Sequence, residues 1–267
     1  MKSIRIMAIV FFIFVLCMGG LEAQTTLKGM SLNGSTGLYS IPTGRIGWER
    51  TSDLALDLGY HALIGDGHVS HIPKVALSLF KWVELSAAFD IQPEKYQDDN
   101  NDFVGGIKIQ FPLTKTALAL GGNFQTLNMG NSAPERYNAG QVYLAVSYSG
   151  MFFEMPAETT VVLGKTFIKD HLDSDIDFGM GFDLVLLPKV LEHYVHWIVD
   201  FANFSYSVDP WNAEAWYRGV LNTGIRIDLT VIPVFKKFKF VLDVLVTDVL
   251  DHNRGFSAGA VFGIPVL

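Results

Sequence analysis

Cysteine is almost missing from this chain: the 267 residues contain one, Cys17. A single thiol close to the N-terminus leaves no internal disulfide and no thiol pair for a metal, so the fold has to rest on hydrogen bonding and apolar burial. Charge is also scarce. Asp, Glu, Lys and Arg make up 18% of the residues, with a formal net charge of −7. The clustered Lys and Arg that a phosphate backbone requires are absent, which excludes nucleic acid as a partner. Beyond the first twenty residues there is no run of roughly 18 apolar residues that could cross a bilayer as a helix. Yet 49% of the chain is apolar, 13% is aromatic and the mean hydropathy is +0.28. Such a composition is too apolar for a disordered chain, and its runs are too short for a helical membrane bundle.

The first residues speak for export. Lys2 and Arg5 form a basic start, Met7 to Met18 is an unbroken apolar core, Gly19-Gly20 interrupts it, and Ala23 offers a small residue for cleavage. This is the pattern of a secretory signal peptide covering residues 1–23. Its apolar core falls short of the roughly 20 residues that an anchor needs. Leu16 stands where lipidation of Cys17 would call for a small residue.

After the leader the dominant period is two, not 3.6. In 53–63, Leu54, Leu56, Leu58, Tyr60 and Ala62 alternate with Asp53, Ala55, Asp57, Gly59 and His61. In 176–186, Ile176, Phe178, Met180, Phe182, Leu184 and Leu186 alternate with Asp177, Gly179, Gly181, Asp183 and Val185. Similar runs start near Ile72, Glu84, Phe103, Ala117, Gln141, Thr159, Tyr194, Trp216, Phe238 and Gly255, so about twelve strands with no helix are expected, within a range of ten to fourteen.

The connections alternate in character. Lys81 to Val83, Thr114 to Thr116, Glu154 to Glu158 and Pro188 to His193 read as short turns. Gly65 to His71, Pro93 to Asn101, Asn128 to Asn138, Lys169 to Asp175 and Val208 to Ala215 read as longer loops, acidic or rich in Asn. Thr230 to Lys237 and Leu250 to Arg254 depart from the rule. Trp48, Trp82, Tyr194 and Trp197 fall near the turn ends, and Tyr137, Tyr206, Trp211, Trp216 and Tyr217 near the loop ends. Short turns, long loops and aromatic ends together indicate an all-β, transmembrane, antiparallel up-and-down barrel, because lipid leaves no backbone group unpaired and the sheet has to close. A secreted soluble sandwich or barrel is the competing fold.

On this pattern residues 53–267 resemble a bacterial outer-membrane β-barrel of Gram-negative or spirochaete type. The last strand, with Phe256, Ala258, Ala260, Phe262 and Ile264 on one face, is similar to the terminal strand that barrel-assembly machinery reads, although the chain ends in Leu267 rather than an aromatic residue. Gly34 to Thr43 resembles an N-terminal stretch of barrels associated with exopolysaccharide secretion. The resemblance implies a location in the outer membrane, with its lipid and the assembly machinery as partners. Residues 24–52, rich in Gly, Ser and Thr, would precede the barrel as a periplasmic lead-in, a lumen plug or an extra strand.

Catalytic patterns are present but misplaced. Gly255-Phe256-Ser257-Ala258-Gly259 has the spacing of a hydrolase elbow without the helix that has to follow it. His68 and His71, and His193 and His196, sit three apart, which on a strand turns the two side chains to opposite faces. Asp173 to Asp177 lacks the glycine and glutamate positions of a calcium loop. Gly164-Lys165-Thr166 lacks the first glycine and the helix of a phosphate loop. No cofactor is implied. Parity instead assigns Asp57, Asp90, Asp177, Asp183, Asp200, Asp228 and Asp243 to the lumen with Lys108, Arg218, Arg226 and Lys239, and Asp98, Asp99, Asp170, Asp173 and Asp175 to an outer acidic rim. The expected function is a narrow pore for small solutes or ions with cation preference. A closed structural or surface-interaction barrel, serving polysaccharide export or adhesion, comes second, and an outer-membrane hydrolase third.

Overall fold

The computed structural model describes residues 29–48, 52–65, 68–91, 101–113, 115–128, 136–168, 176–203, 219–235, 237–250 and 254–267. Twelve strands follow one another: β1 (Leu54–Gly65), β2 (His68–Leu79), β3 (Val83–Ile91), β4 (Asn101–Pro112), β5 (Thr116–Asn128), β6 (Arg136–Phe152), β7 (Met155–Ile168), β8 (Asp177–Val185), β9 (Val195–Ala202), β10 (Val220–Asp228), β11 (Lys239–Thr247) and β12 (Gly255–Pro265). Each pairs antiparallel with its sequence neighbours, and β1 closes the ring on β12. In the closing register Leu58 stands opposite Phe262 on one side and Val75 on the other. The seam is finished by the Asp53 N–H donating to the Leu267 carbonyl at 2.9 Å. No edge strand is left, which is the condition for a sheet in lipid.

Period-two sequence dictates the two faces. Along β1, Ala55, Asp57, Gly59, His61 and Leu63 are buried toward the interior, while Leu58, Tyr60 and Ile64 are exposed outward. The outer face continues around the ring with exposed Leu85, Phe89, Ile107, Phe124, Val142, Leu163, Val244 and Phe262. In water this belt would be a large unsatisfied apolar surface. The membrane-barrel expectation accounts for it, and a soluble sandwich does not.

Several expected boundaries move. Only residues 66 and 67 separate β1 from β2, so the long loop expected over Gly65 to His71 is not formed, and His71 lies inside β2. The β6–β7 turn is Phe153-Glu154, not Glu154 to Glu158. Both of its residues have positive φ, 45° and 65°, as do Phe80 and Lys81 in the β2–β3 turn, at 53° and 64°. Paired positive φ values match the twist of a tight hairpin and are normally supplied by Asn or Gly. Here long ladders on both sides impose them on bulky residues. The expectation of no helix is corrected by α1 (Pro188–Leu191) and two 3₁₀ turns, 229–231 and 233–235, all in connections on the turn side. The leader, the acidic residues Asp98, Asp99, Asp170, Asp173 and Asp175, and Arg218 lie outside the described residues.

Candidate functional site

The barrel interior holds residues 29–48. This stretch folds first on itself. Gly34, at φ 87°, lets the 31–35 turn close with the Ser31 N–H on the Ser35 carbonyl at 2.8 Å and the Gly34 N–H on the Ser31 carbonyl at 3.0 Å. Met30 bridges Thr36, Gly37 bridges Pro42, and the Leu38 N–H reaches the Ile41 carbonyl at 3.0 Å. Met30, Leu32, Leu38, Tyr39, Ile41 and Ile46 are all buried, and four of them join wall residues such as Ile72, Val104 and Ile198 in one apolar cluster. The wall makes room for them. A Cβ on Gly179 would stand 2.6 Å from Ile41 Cγ2, and one on Gly181 2.5 Å from Leu38 Cδ1, so both seats require glycine.

Charged wall side chains hold the segment by its backbone. Glu84 on β3 accepts from the Thr36 N–H at 2.8 Å, from the Thr36 hydroxyl and from the Gly47 N–H at 3.2 Å. Lys108 on β4 sits 3.0 Å from Glu84 and donates to the Thr36 carbonyl at 2.9 Å. Asp200 on β9 accepts the N–H groups of Tyr39 and Ser40 at 2.8 and 2.6 Å through one oxygen, and Asn222 through the other at 2.8 Å. Arg226 on β10 is forked onto Asp243 at 2.8 and 3.0 Å and reaches the Gly37 carbonyl at 3.3 Å. Lys74 on β2 donates to the Met30 and Ser31 carbonyls at 3.2 and 3.0 Å.

The end nearest β1 is pinned by side chains of its own. Arg45 forms a buried pair with Glu158 at 2.8 Å and donates to Ser149 at 2.8 Å. The Ile46 N–H goes to Gln110 and the Gly44 N–H to Ser147, at 2.8 and 2.9 Å. The Trp48 indole donates to Asp57 at 2.8 Å, and Lys239 lies 2.6 Å from the other Asp57 oxygen and 5.3 Å from the Trp48 ring centre. Each of these charged side chains thus has a partner, as the cost of isolating one demands.

Of the residues that parity assigned to the lumen, Asp57, Asp90, Lys108, Asp183, Asp200, Arg226, Asp228, Asp243 and Lys239 are buried on the inner side of their strands. Asp177 is half-buried and accepts from Thr166 at 2.6 Å and Gln141 at 3.2 Å. Asp183 pairs with His196 and stands 3.6 Å from Arg226. Glu84, Glu158, Lys74 and Asp102 belong to the same inner set and were not singled out. The parity that reaches Asp90 also reaches Glu84, whereas the turn expected over Glu154 to Glu158 covers Glu158. Arg45 had no periodic signal at all.

The hydrolase-elbow spacing is not built as a turn. Gly255 to Gly259 runs through β12 without a turn, and Ser257 is buried inward. His196 is engaged by Asp183 and His71 by the Tyr60 hydroxyl. Among the described residues no group of three His, Cys, Asp or Glu could hold a metal ion.

No protein-family model matches the chain, and no curated protein is similar to it in sequence. Solved structures are similar in shape. The KdgM porin superposes with a TM-score of 0.51 at 8% identity, over 77% of this chain and 98% of that one. A COG4313 outer membrane channel from Pseudomonas putida F1 gives 0.48 at 9% identity, over 80% and 96%. Omp33 of Acinetobacter baumannii gives 0.43 at 10%, over 81% and 100%. The likeness to the KdgM porin is one of fold, a closed antiparallel barrel.

Proposed function

We propose that this protein is a bacterial outer-membrane barrel forming a narrow, cation-preferring pore for small solutes, with segment 29–48 lying across the lumen in the conformation described. The observation that carries the reading is the contrast between an apolar outer belt and a charged inner wall. Buried ion pairs are a poor source of stability, because desolvation offsets much of their attraction, and an interior needed only as filling is served better by apolar side chains. A charged lining suits a wall that meets water when the segment shifts. Among the described strand residues, nine buried carboxylates face four buried Lys or Arg. Exposed to solvent within a low-dielectric wall, that excess attracts cations. Outer-membrane lipid and the assembly machinery that inserts barrels are the partners this reading implies, and the leader 1–23 is the export signal.

The test is conductance of the purified full chain in planar bilayers under a KCl gradient. Channel steps with a reversal potential on the cation side are expected. Anion selectivity would mean that Lys108, Arg226 and Lys239 control the constriction. A membrane that stays silent at every voltage would favour the second reading, a closed barrel serving surface interaction or polysaccharide export. That reading draws on the filled interior and on residues 34–43, which carry the exopolysaccharide resemblance and lie inside the barrel.

A further inference from the structure

Segment 29–48 is made of two parts with different bonding. In 30–42 the backbone satisfies much of its own demand through the Met30–Thr36 and Gly37–Pro42 bridges, the Leu32 N–H on the Tyr39 carbonyl at 2.8 Å and the Leu38 N–H on the Ile41 carbonyl. It is a small folded hairpin. In 44–48 the backbone N–H groups of Gly44, Ile46 and Gly47 go to wall side chains, and Arg45 and Trp48 add buried polar contacts of their own. This part is an anchor that has no internal structure to fall back on.

We propose that hairpin 30–42 is a captive gate, which leaves its seat as a folded unit and pivots on the 44–48 anchor to open the pore. The inference rests on the pore reading above and adds its regulation. The hairpin carries its bridges with it, and the backbone groups it parts from the wall, the N–H groups of Thr36, Tyr39 and Ser40 and the carbonyls of Met30, Ser31, Thr36 and Gly37, meet water in the open lumen. The wall groups it leaves, Glu84, Lys108, Asp200 and Arg226, are charged and accept water in place of the hairpin backbone. Its apolar hold is the cluster that Leu32, Leu38, Tyr39 and Ile41 form with the wall and the packing of Met30 against Ala76, Val241 and Val261, with Ile41 seated on Gly179 and Leu38 on Gly181. Glu84 is the latch, since its carboxylate receives both Thr36 of the hairpin and Gly47 of the anchor.

A disulfide tests the gate directly. A Cβ on Gly179 would lie 3.6 Å from Ile41 Cβ, within the span of about 3.5–4.5 Å that a disulfide bridges. The chain's single cysteine is Cys17, so Ile41→Cys with Gly179→Cys in a Cys17→Ser background gives an unambiguous pair. Heat-modifiable gel mobility reports folding, and intact mass reports the bond. The oxidised variant should lose conductance that reduction restores, while neither single-cysteine variant changes its conductance between oxidising and reducing conditions. Glu84→Gln should raise the open fraction. If the parent conducts and the oxidised variant conducts equally, the pore stands and the gate is overturned. If the parent and the reduced variant are both silent, the pore reading falls and takes the gate with it. A folded variant that cannot form the bond overturns the seating of Ile41 on Gly179.

Discussion

Replacing Arg45 with Met leaves Glu158 fully buried without its cation. The guanidinium is 4% exposed and the carboxylate 0%, at 2.8 Å, so solvent screening does little to soften the loss. Breaking a buried pair from one side costs about 3–5 kcal/mol. The low end applies here, since the Ser149 hydroxyl still donates to Glu158 at 2.9 Å. Removing both charges, as Arg45→Met with Glu158→Gln, takes away the stranded carboxylate. The double variant should recover most of the loss, with a coupling energy of about 2–3 kcal/mol. Urea unfolding in detergent micelles, followed by gel mobility, supplies the values, and bilayer recordings of the single variant should show more frequent opening because the anchor is weakened. A single-variant cost below about 1 kcal/mol, with the double no better than the sum of the two singles, would show that water already reaches Glu158 and that the pair is not an anchor.

Phe182, edge-on to Trp197 at 5.3 Å on the outer face, should not accept charge: Phe182→Arg is expected to cost about 2–4 kcal/mol if it sits near the bilayer midplane, measured by refolding into vesicles. Gly181→Val drives a side chain into Leu38 and should cost about 1–3 kcal/mol by overpacking, whereas Gly140→Ala, where a Cβ meets nothing within 4 Å, should be close to neutral in the same unfolding assay. With the turns periplasmic and the loops outside, an impermeant thiol reagent on intact cells should label Arg254→Cys and spare Lys81→Cys, and the reverse pattern would invert the barrel.

The strands were legible because a half-buried strand repeats every two residues, and one correct assignment fixes the face of all its neighbours. In β8, Asp177, Gly179, Gly181 and Asp183 read inward from sequence and line the interior. Parity gives the face and not the exposure: Leu184 stands opposite the exposed Trp197 in the β8–β9 register, yet it is only 3% exposed. Turns were harder. Phe153-Glu154 carries no Gly, Asn or Pro, so its positive φ values are set by the ladder between β6 and β7 and not by local preference. Partnership across the lumen was beyond reach. Asp200 is capped by the N–H groups of Tyr39 and Ser40, about 160 residues earlier in the chain, and no periodic signal links the two.

The Gly, Ser and Thr content of residues 24–52 has no period, so sequence alone does not separate lead-in, plug and strand, and the contacts made by 29–48 explain why. The segment obtains its order from wall side chains and from short bridges, neither of which leaves a repeating pattern. A different signal was present elsewhere in the sequence. The inner face of this twelve-stranded ring carries Ala55, Ala76, Ala88, Ala119, Ala145, Gly179 and Gly181 among its buried positions, besides the charges. In barrels of about eight strands the wall side chains can fill the interior, and a wider ring of small residues cannot meet across it. An unfilled apolar void costs about 24 cal/mol per Å³, and native interiors are packed close to crystal density. A wall of alanine and glycine between charged residues therefore leaves room for water or for a segment from outside the strands. Met30, Leu38 and Ile41 occupy that room at Gly59, Gly181 and Gly179.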